Sequence, residues 1–116
     1  MLTFNLKKEW FDKIKSGEKT HEYREVKPYW TKRLMNGLYK DFIDNDAYFI
    51  SMCNGGNPFW KPINKKIIFC KGYPKKNDKK NRITAIFKKI RIVHGRDTDL
   101  KINKPVYDIE FELIKE

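Results

Sequence analysis

The chain has only two cysteines, Cys53 and Cys70, and two histidines, His21 and His94, among its 116 residues. Two thiols do not make the disulfide framework of a small secreted scaffold, although sequence alone leaves a bridge between them open. No cysteine or histidine stands at metal-ligand spacing from another, so no metal is expected. No apolar run approaches the roughly 20 residues of a membrane helix, and no membrane partner is expected. The stretch from Met1 to Leu6 has neither the charged start nor the long apolar segment of a secretory signal. The compartment is therefore read as cytoplasmic. A glycine-rich phosphate loop and a paired catalytic carboxylate motif are also missing, and no cofactor is expected.

Acidic residues are scarce as well, and where they are scarce matters. The formal charge is +11, from 26 basic and 15 acidic residues. Between Lys61 and Arg91 there are 12 basic residues and one acid, Asp78, whereas the remainder carries 14 of each sign. All of the excess therefore sits in one stretch. Such a local concentration attracts polyanions and releases counterions when it pairs with phosphates. A solvated lysine-rich loop that only favours solubility has the same composition.

A hydrophobic content of 40% and an aromatic content of 15% suffice for one modest core, so residues 1–116 are read as a single domain. Leu2, Phe4 and Leu6 alternate with polar residues as in a half-buried strand. Trp10, Phe11 and Ile14 share one face of a helix over Lys7 to Ser16, which Gly17 ends. Thr20 to Val26 reads as a strand, with Glu22 and Arg24 on one side and His21 and Tyr23 on the other. Pro28 starts a second helix in which Trp30 and Leu34 are one turn apart. Asn36-Gly37 marks its end, with Leu38 to Phe42 as an extension. Tyr48 to Cys53 reads as a short strand closed by the Asn54-Gly55-Gly56-Asn57-Pro58 turn.

Ile67 to Tyr73 is a further strand, and Pro74 to Asn81 an exposed loop. In the strand from Arg82 to Val93, Ile83, Ala85 and Phe87 have one parity while Ile90 and Ile92 have the other. A bulge at Lys88-Lys89 keeps both sets inward. After Gly95 and a charged loop, Tyr107, Ile109, Phe111 and Leu113 alternate with acids as in a closing strand with one face in water. These elements predict an α+β domain: a small curved or closed β-barrel of about five to six strands with two or three flanking helices.

The segment Gly17-Glu18-Lys19-Thr20-His21-Glu22-Tyr23-Arg24 fits the pattern GxKxxExR between a helix and a strand. With this order of elements, with Phe69-Cys70-Lys71-Gly72-Tyr73 and with the final strand, the chain resembles the ASCH domain family of the PUA-like superfamily. The likeness runs from Leu2 to Leu113. Residues 44–64 do not align and read as an insertion. It implies a cleft beside the motif strand that binds RNA or a modified nucleoside, lined by Lys19, Glu22 and Arg24. The residue types suit this: Arg24 offers a fork of donors for phosphate or a base edge, Glu22 either orients Arg24 or accepts from an exocyclic amine, and Lys19 brings a compact charge into the same space. Two such residues on a strand are also a common surface ion pair contributing under about 1 kcal/mol.

The basic stretch adds Lys71, Lys75, Lys76 and Arg82 as nucleic-acid contacts, and Tyr73 as the best candidate to stack on a base. Trp30 is explained by packing, Tyr23 stays open, and Phe59 and Trp60 form either a lid or core. His21 alternates with Tyr23 and takes a core or rim position.

Three functions follow in order. The first is a noncatalytic module that binds RNA or a modified nucleoside. The second is a hydrolase, acting as an amidohydrolase on an acetylated cytidine-type nucleoside or as a ribonuclease, with Lys19 and Glu22 catalytic. Relatives that remove the acetyl group use a threonine where this chain has Glu22, and Thr20 is two residues away, so that mechanism is not reproduced. The third is a protein-interaction module with an acidic partner.

Overall fold

The computed structural model describes residues 2–39, 45–55 and 62–114. The alternation at the start produces β1 (Leu2–Leu6), with all three apolar side chains buried. Helix α1 (Lys8–Lys15) buries Phe11 and Ile14, and Gly17 follows with φ of +85°, a backbone conformation that glycine adopts without penalty. Strand β2 (His21–Glu25) leads into α2 (Pro28–Tyr39), whose N-terminal proline lacks the amide that a helix start would leave unpaired.

Asn36-Gly37 does not end α2, contrary to the expectation. The helix runs through Gly37 because that residue meets β1: a Cβ there would stand 3.0 Å from the Leu2 Cβ. The glycine permits close helix-to-strand approach instead of a stop. The expected strand from Tyr48 to Cys53 is also corrected, since these residues lie inside helix α3 (Asp46–Gly55). Phe49, Met52 and Cys53 are spaced three and four apart and face inward, while the Asn45 Oδ1 accepts from the Tyr48 amide at 3.0 Å as an N-cap. Of the segment 44–64, α3 thus supplies core side chains. Phe59 and Trp60 lie outside the described residues.

Strands β3 (Lys66–Lys71), β4 (Arg82–His94) and β5 (Pro105–Leu113) complete a five-stranded sheet of order β1-β3-β4-β5-β2. Only the β1–β3 pair is parallel. The architecture is α+β, a curved half-barrel with three helices, as predicted. The β4 register shifts between Phe87 and Lys89. The extra residue, Lys88, lets Ala85, Phe87 and Ile90 all face the core. One face of β5 is less wet than its alternation predicts, because Asp108 is buried. Cys53 and Cys70 are both buried free thiols, so no bridge joins them. Among the described residues no helix is long and apolar enough to cross a membrane.

Beyond β4, a 3₁₀ turn (Gly95–Asp97) opens a tight connection to β5. The Gly95 amide donates to the Lys104 carbonyl at 2.7 Å, and Thr98 Oγ1 donates to the Gly95 carbonyl at the same distance. A Cβ on Gly95 would lie 2.6 Å from Ile102 Cγ1 and 2.7 Å from the carbonyl oxygens of Ile102 and Lys104. Backbone oxygens cannot yield as a side-chain tip can. Gly95→Ala is therefore expected to destabilise the fold by about 1–3 kcal/mol, the usual range for overpacking. Urea unfolding of the variant checks this, and an unchanged midpoint would contradict it.

Candidate functional site

Strands β1 and β2 are the two ends of the sheet and share no backbone pairing. Side chains join them instead. The Arg24 guanidinium lies 5.0 Å from the Phe4 ring centre on β1 and 4.6 Å from that of Trp30 on α2. These cation–π contacts hold the guanidinium against both rings, and its Nη2 donates to Glu22. Arg24 Nε is buried without a hydrogen-bond partner among the described residues.

Next to this bridge a cleft of about 260 Å³ opens, bounded by Leu6 and Trp10 on one side and by Lys19, Glu22, Tyr23 and Arg24 on the other. The end of α1 determines where Lys19 enters it. After Gly17, the Lys19 amide donates to the Lys13 carbonyl at 3.0 Å, which turns the chain directly into β2. Lys19 keeps only 9% of its side chain exposed. Its ammonium pairs with Asp99, lies 3.9 Å from Glu22 Oε1, and stands 5.2 and 5.0 Å from the ring centres of Trp10 and Tyr23.

Glu22 is 6% exposed. Its Oε1 accepts from the Tyr23 amide at 3.0 Å and its Oε2 from Arg24 Nη2 at 3.5 Å. Burial pushes its pKa above the ordinary carboxylate value, and the charges of Arg24 and Lys19 only partly oppose this. A carboxyl group buried between two cations, at the wall of a cleft, is held ready to accept hydrogen bonds or to carry a proton. Lys19, Glu22 and Arg24 thus all line one cleft.

The other sequence candidates lie elsewhere. Lys71 ends β3 opposite Leu6, and its charge acts on Asp12 of α1. Tyr73 is 90% exposed, and Lys75 and Lys76 are exposed beside it. Arg82 is turned inward: Nη2 donates to the carbonyls of Pro74 and Lys75 at 3.0 and 3.1 Å, and Nη1 to Cys70 Sγ at 3.3 Å. It pins the loop through both terminal nitrogens, while its buried Nε has no hydrogen-bond partner among the described residues. None of these five lines the cleft.

Two features were invisible to sequence reasoning. Asp99, the partner of Lys19, comes from the β4–β5 connection, 80 residues away, and no local pattern marks it. On β5, the buried Asp108 carboxyl accepts from Arg91 Nε at 2.8 Å and lies 2.6 Å from His21 Nδ1. A carboxylate only accepts, so this contact assigns the Nδ1 proton to His21 and leaves Nε2 toward Glu110, 3.6 Å away. His21 occupies a rim position and, with Tyr23, walls a second hollow on the far side of Lys19. Among the described residues no three His, Cys, Asp or Glu side chains gather as metal ligands would.

No protein-family model, curated protein or solved structure matches this chain.

Burial of Glu22 has a measurable consequence. Since its pKa is higher folded than unfolded, the native chain binds this proton more tightly, and ionisation opposes folding. Relative to Glu22→Gln, the wild type should lose stability as pH rises from the ordinary carboxylate range through the raised value. Urea unfolding of both proteins across acidic to neutral pH tests it. A wild-type advantage that grows with pH would show that ion pairing outweighs burial.

Proposed function

We propose that the cleft binds a nucleobase, and that the chain is a noncatalytic RNA- or modified-nucleoside-binding module of the ASCH, PUA-like type. The observation that carries this reading is the buried Glu22 carboxyl at the cleft wall, flanked by Lys19 and Arg24. A base edge offers both hydrogen-bond senses. Glu22 accepts from an exocyclic amine or ring N–H, and the Arg24 fork donates to ring nitrogens and carbonyls. Trp10 and Tyr23 present aromatic surface to a flat ligand. The volume of about 260 Å³ is below the roughly 300–1,000 Å³ of pockets for drug-sized ligands, which suits a single base. A cytoplasmic setting accords with two buried free thiols.

A second reading, hydrolysis of an acetylated cytidine-type nucleoside or of RNA, draws on the same carboxyl. Its raised pKa and its position beside Lys19 suit proton transfer. In that case Glu22→Gln abolishes turnover while binding persists. A third, docking of an acidic protein partner, draws only on net charge.

Thermal-shift and calorimetric titrations with cytidine, acetylated cytidine, the other common nucleosides and short RNA at low salt test the leading reading. At least one ligand should bind, and Arg24→Ala and Lys19→Ala should each weaken it about tenfold or more, as expected for loss of a specific base contact. Absence of binding by every one of these ligands would end the proposal.

A further inference from the structure

We infer that the β3–β4 loop, residues 72–81, is a second contact surface for an unpaired nucleic-acid strand, so that the cleft's base belongs to a polynucleotide and not to a free nucleoside. The inference rests on the nucleobase reading of the cleft. The loop is rooted in the cleft's own wall. Lys71 pairs with Leu6, which lines the cleft, and the Gly72 amide donates to the Leu6 carbonyl at 3.0 Å. Gly72 then takes φ of +65° and turns the chain outward, so that Tyr73 stands 90% exposed, far more than any other large apolar side chain described.

An exposed tyrosine on a loose loop would mean little, but this loop is held. Arg82 clamps the carbonyls of Pro74 and Lys75 from within, the Asp78 amide donates to the Lys75 carbonyl at 2.9 Å, and Asn81 Nδ2 donates to Asp78 Oδ2 at 2.6 Å. The last bond also engages the only acid in the loop. Lys75, Lys76, Lys79 and Lys80 have no ion-pair partner among the described residues, as holds also for Lys65, Lys66 and Lys89, but only in this loop do four such lysines flank an exposed aromatic residue in sequence.

Four exposed lysines in the same loop as one projecting ring are complementary to a chain in which phosphates alternate with flat bases. Lysines pair with the phosphates, and the ring stacks on a base whose own partner strand is absent. An acidic peptide would satisfy the lysines and leave Tyr73 unused. A lone nucleoside in the cleft would reach neither, because no loop residue lines that space.

Fluorescence anisotropy with labelled single-stranded RNA and DNA of roughly 10 nucleotides, within the site sizes of single-strand binders, tests this. The proteins are the wild type, Tyr73→Ala, a variant with Lys75, Lys76, Lys79 and Lys80 changed to Gln, and Arg24→Ala. Each strand is titrated over a range of salt concentrations, beside calorimetry with free cytidine and acetylated cytidine. Tyr73→Ala should weaken strand binding about tenfold, and the four-lysine variant should flatten the slope of log affinity against log salt by about 3. Both loop variants should bind the free nucleoside as the wild type does, and Arg24→Ala should weaken nucleoside and strand alike.

Strand affinity unaltered by both loop variants would overturn the inference and leave the cleft reading standing. So would displacement of the strand by polyglutamate together with indifference to Tyr73→Ala. Strand binding that depends on the loop but not on Arg24, with no nucleoside bound, would instead sink the cleft reading and keep the loop as a strand contact. Binding of RNA but not DNA, or of both, supports the inference and identifies the strand.

Discussion

The two ends of the sheet meet through side chains, and the rest of the candidate site depends on this. Had β1 and β2 paired by backbone hydrogen bonds, the barrel would be closed and no cleft would open between them. Instead Phe4 and Trp30 stack on each other with ring centres 5.6 Å apart, and the Arg24 guanidinium packs beside the pair, near both rings, while giving up part of its hydration. The gap beside it is lined by polar groups of β2 and by Trp10 of α1. A fold that stops short of closure thereby acquires a concavity walled partly by β1, α1 and β2 and partly by the β4–β5 connection.

Within that concavity the charges are arranged unevenly. Lys19 is neutralised mainly by Asp99 and stays further from Glu22, so the Glu22 carboxyl is stabilised less than its two basic neighbours would suggest. Burial then dominates its titration. Asp99 owes its position to the compact 3₁₀ turn around Gly95 and the Thr98 hydroxyl, which donates to the Gly95 carbonyl and accepts from the Leu100 amide. The β4–β5 connection thus sets the electrostatics of a cleft built mostly from the first 24 residues. The cluster of His21, Arg91 and Asp108 forms a separate polar join between β2, β4 and β5, and it accounts for a carboxyl buried at 3% exposure on what would otherwise be a wet strand face.

Much of the sheet was legible because strand alternation is a local property. The inward sets of β1 and β5, the bulge at Lys88-Lys89 and the turn at Gly17 all follow from side-chain parity and from backbone conformations open to glycine. Where local signals competed, reasoning from them failed. Tyr48 to Cys53 is rich in aromatic and branched residues, yet the one-turn spacing of Phe49, Met52 and Cys53 against β4 and α2 makes it a helix. Gly37 has the chemistry of a helix stop, and only the nearness of Leu2 shows that its role is to leave room.

The sequence by itself determined that Lys19, Glu22 and Arg24 stand at the entry to one strand, and that the excess charge is confined to the stretch from Lys61 to Arg91. Both are statements about neighbours along the chain. Tertiary structure alone decided that Arg82 faces inward and clamps its loop while Tyr73 faces out, that Asp99 and not Glu22 is the near partner of Lys19, and that His21 meets Asp108. Those contacts join residues up to 87 positions apart. Their geometry is fixed by sheet register and by the two turns around Gly72 and Gly95, which no pattern of residue types along the chain specifies.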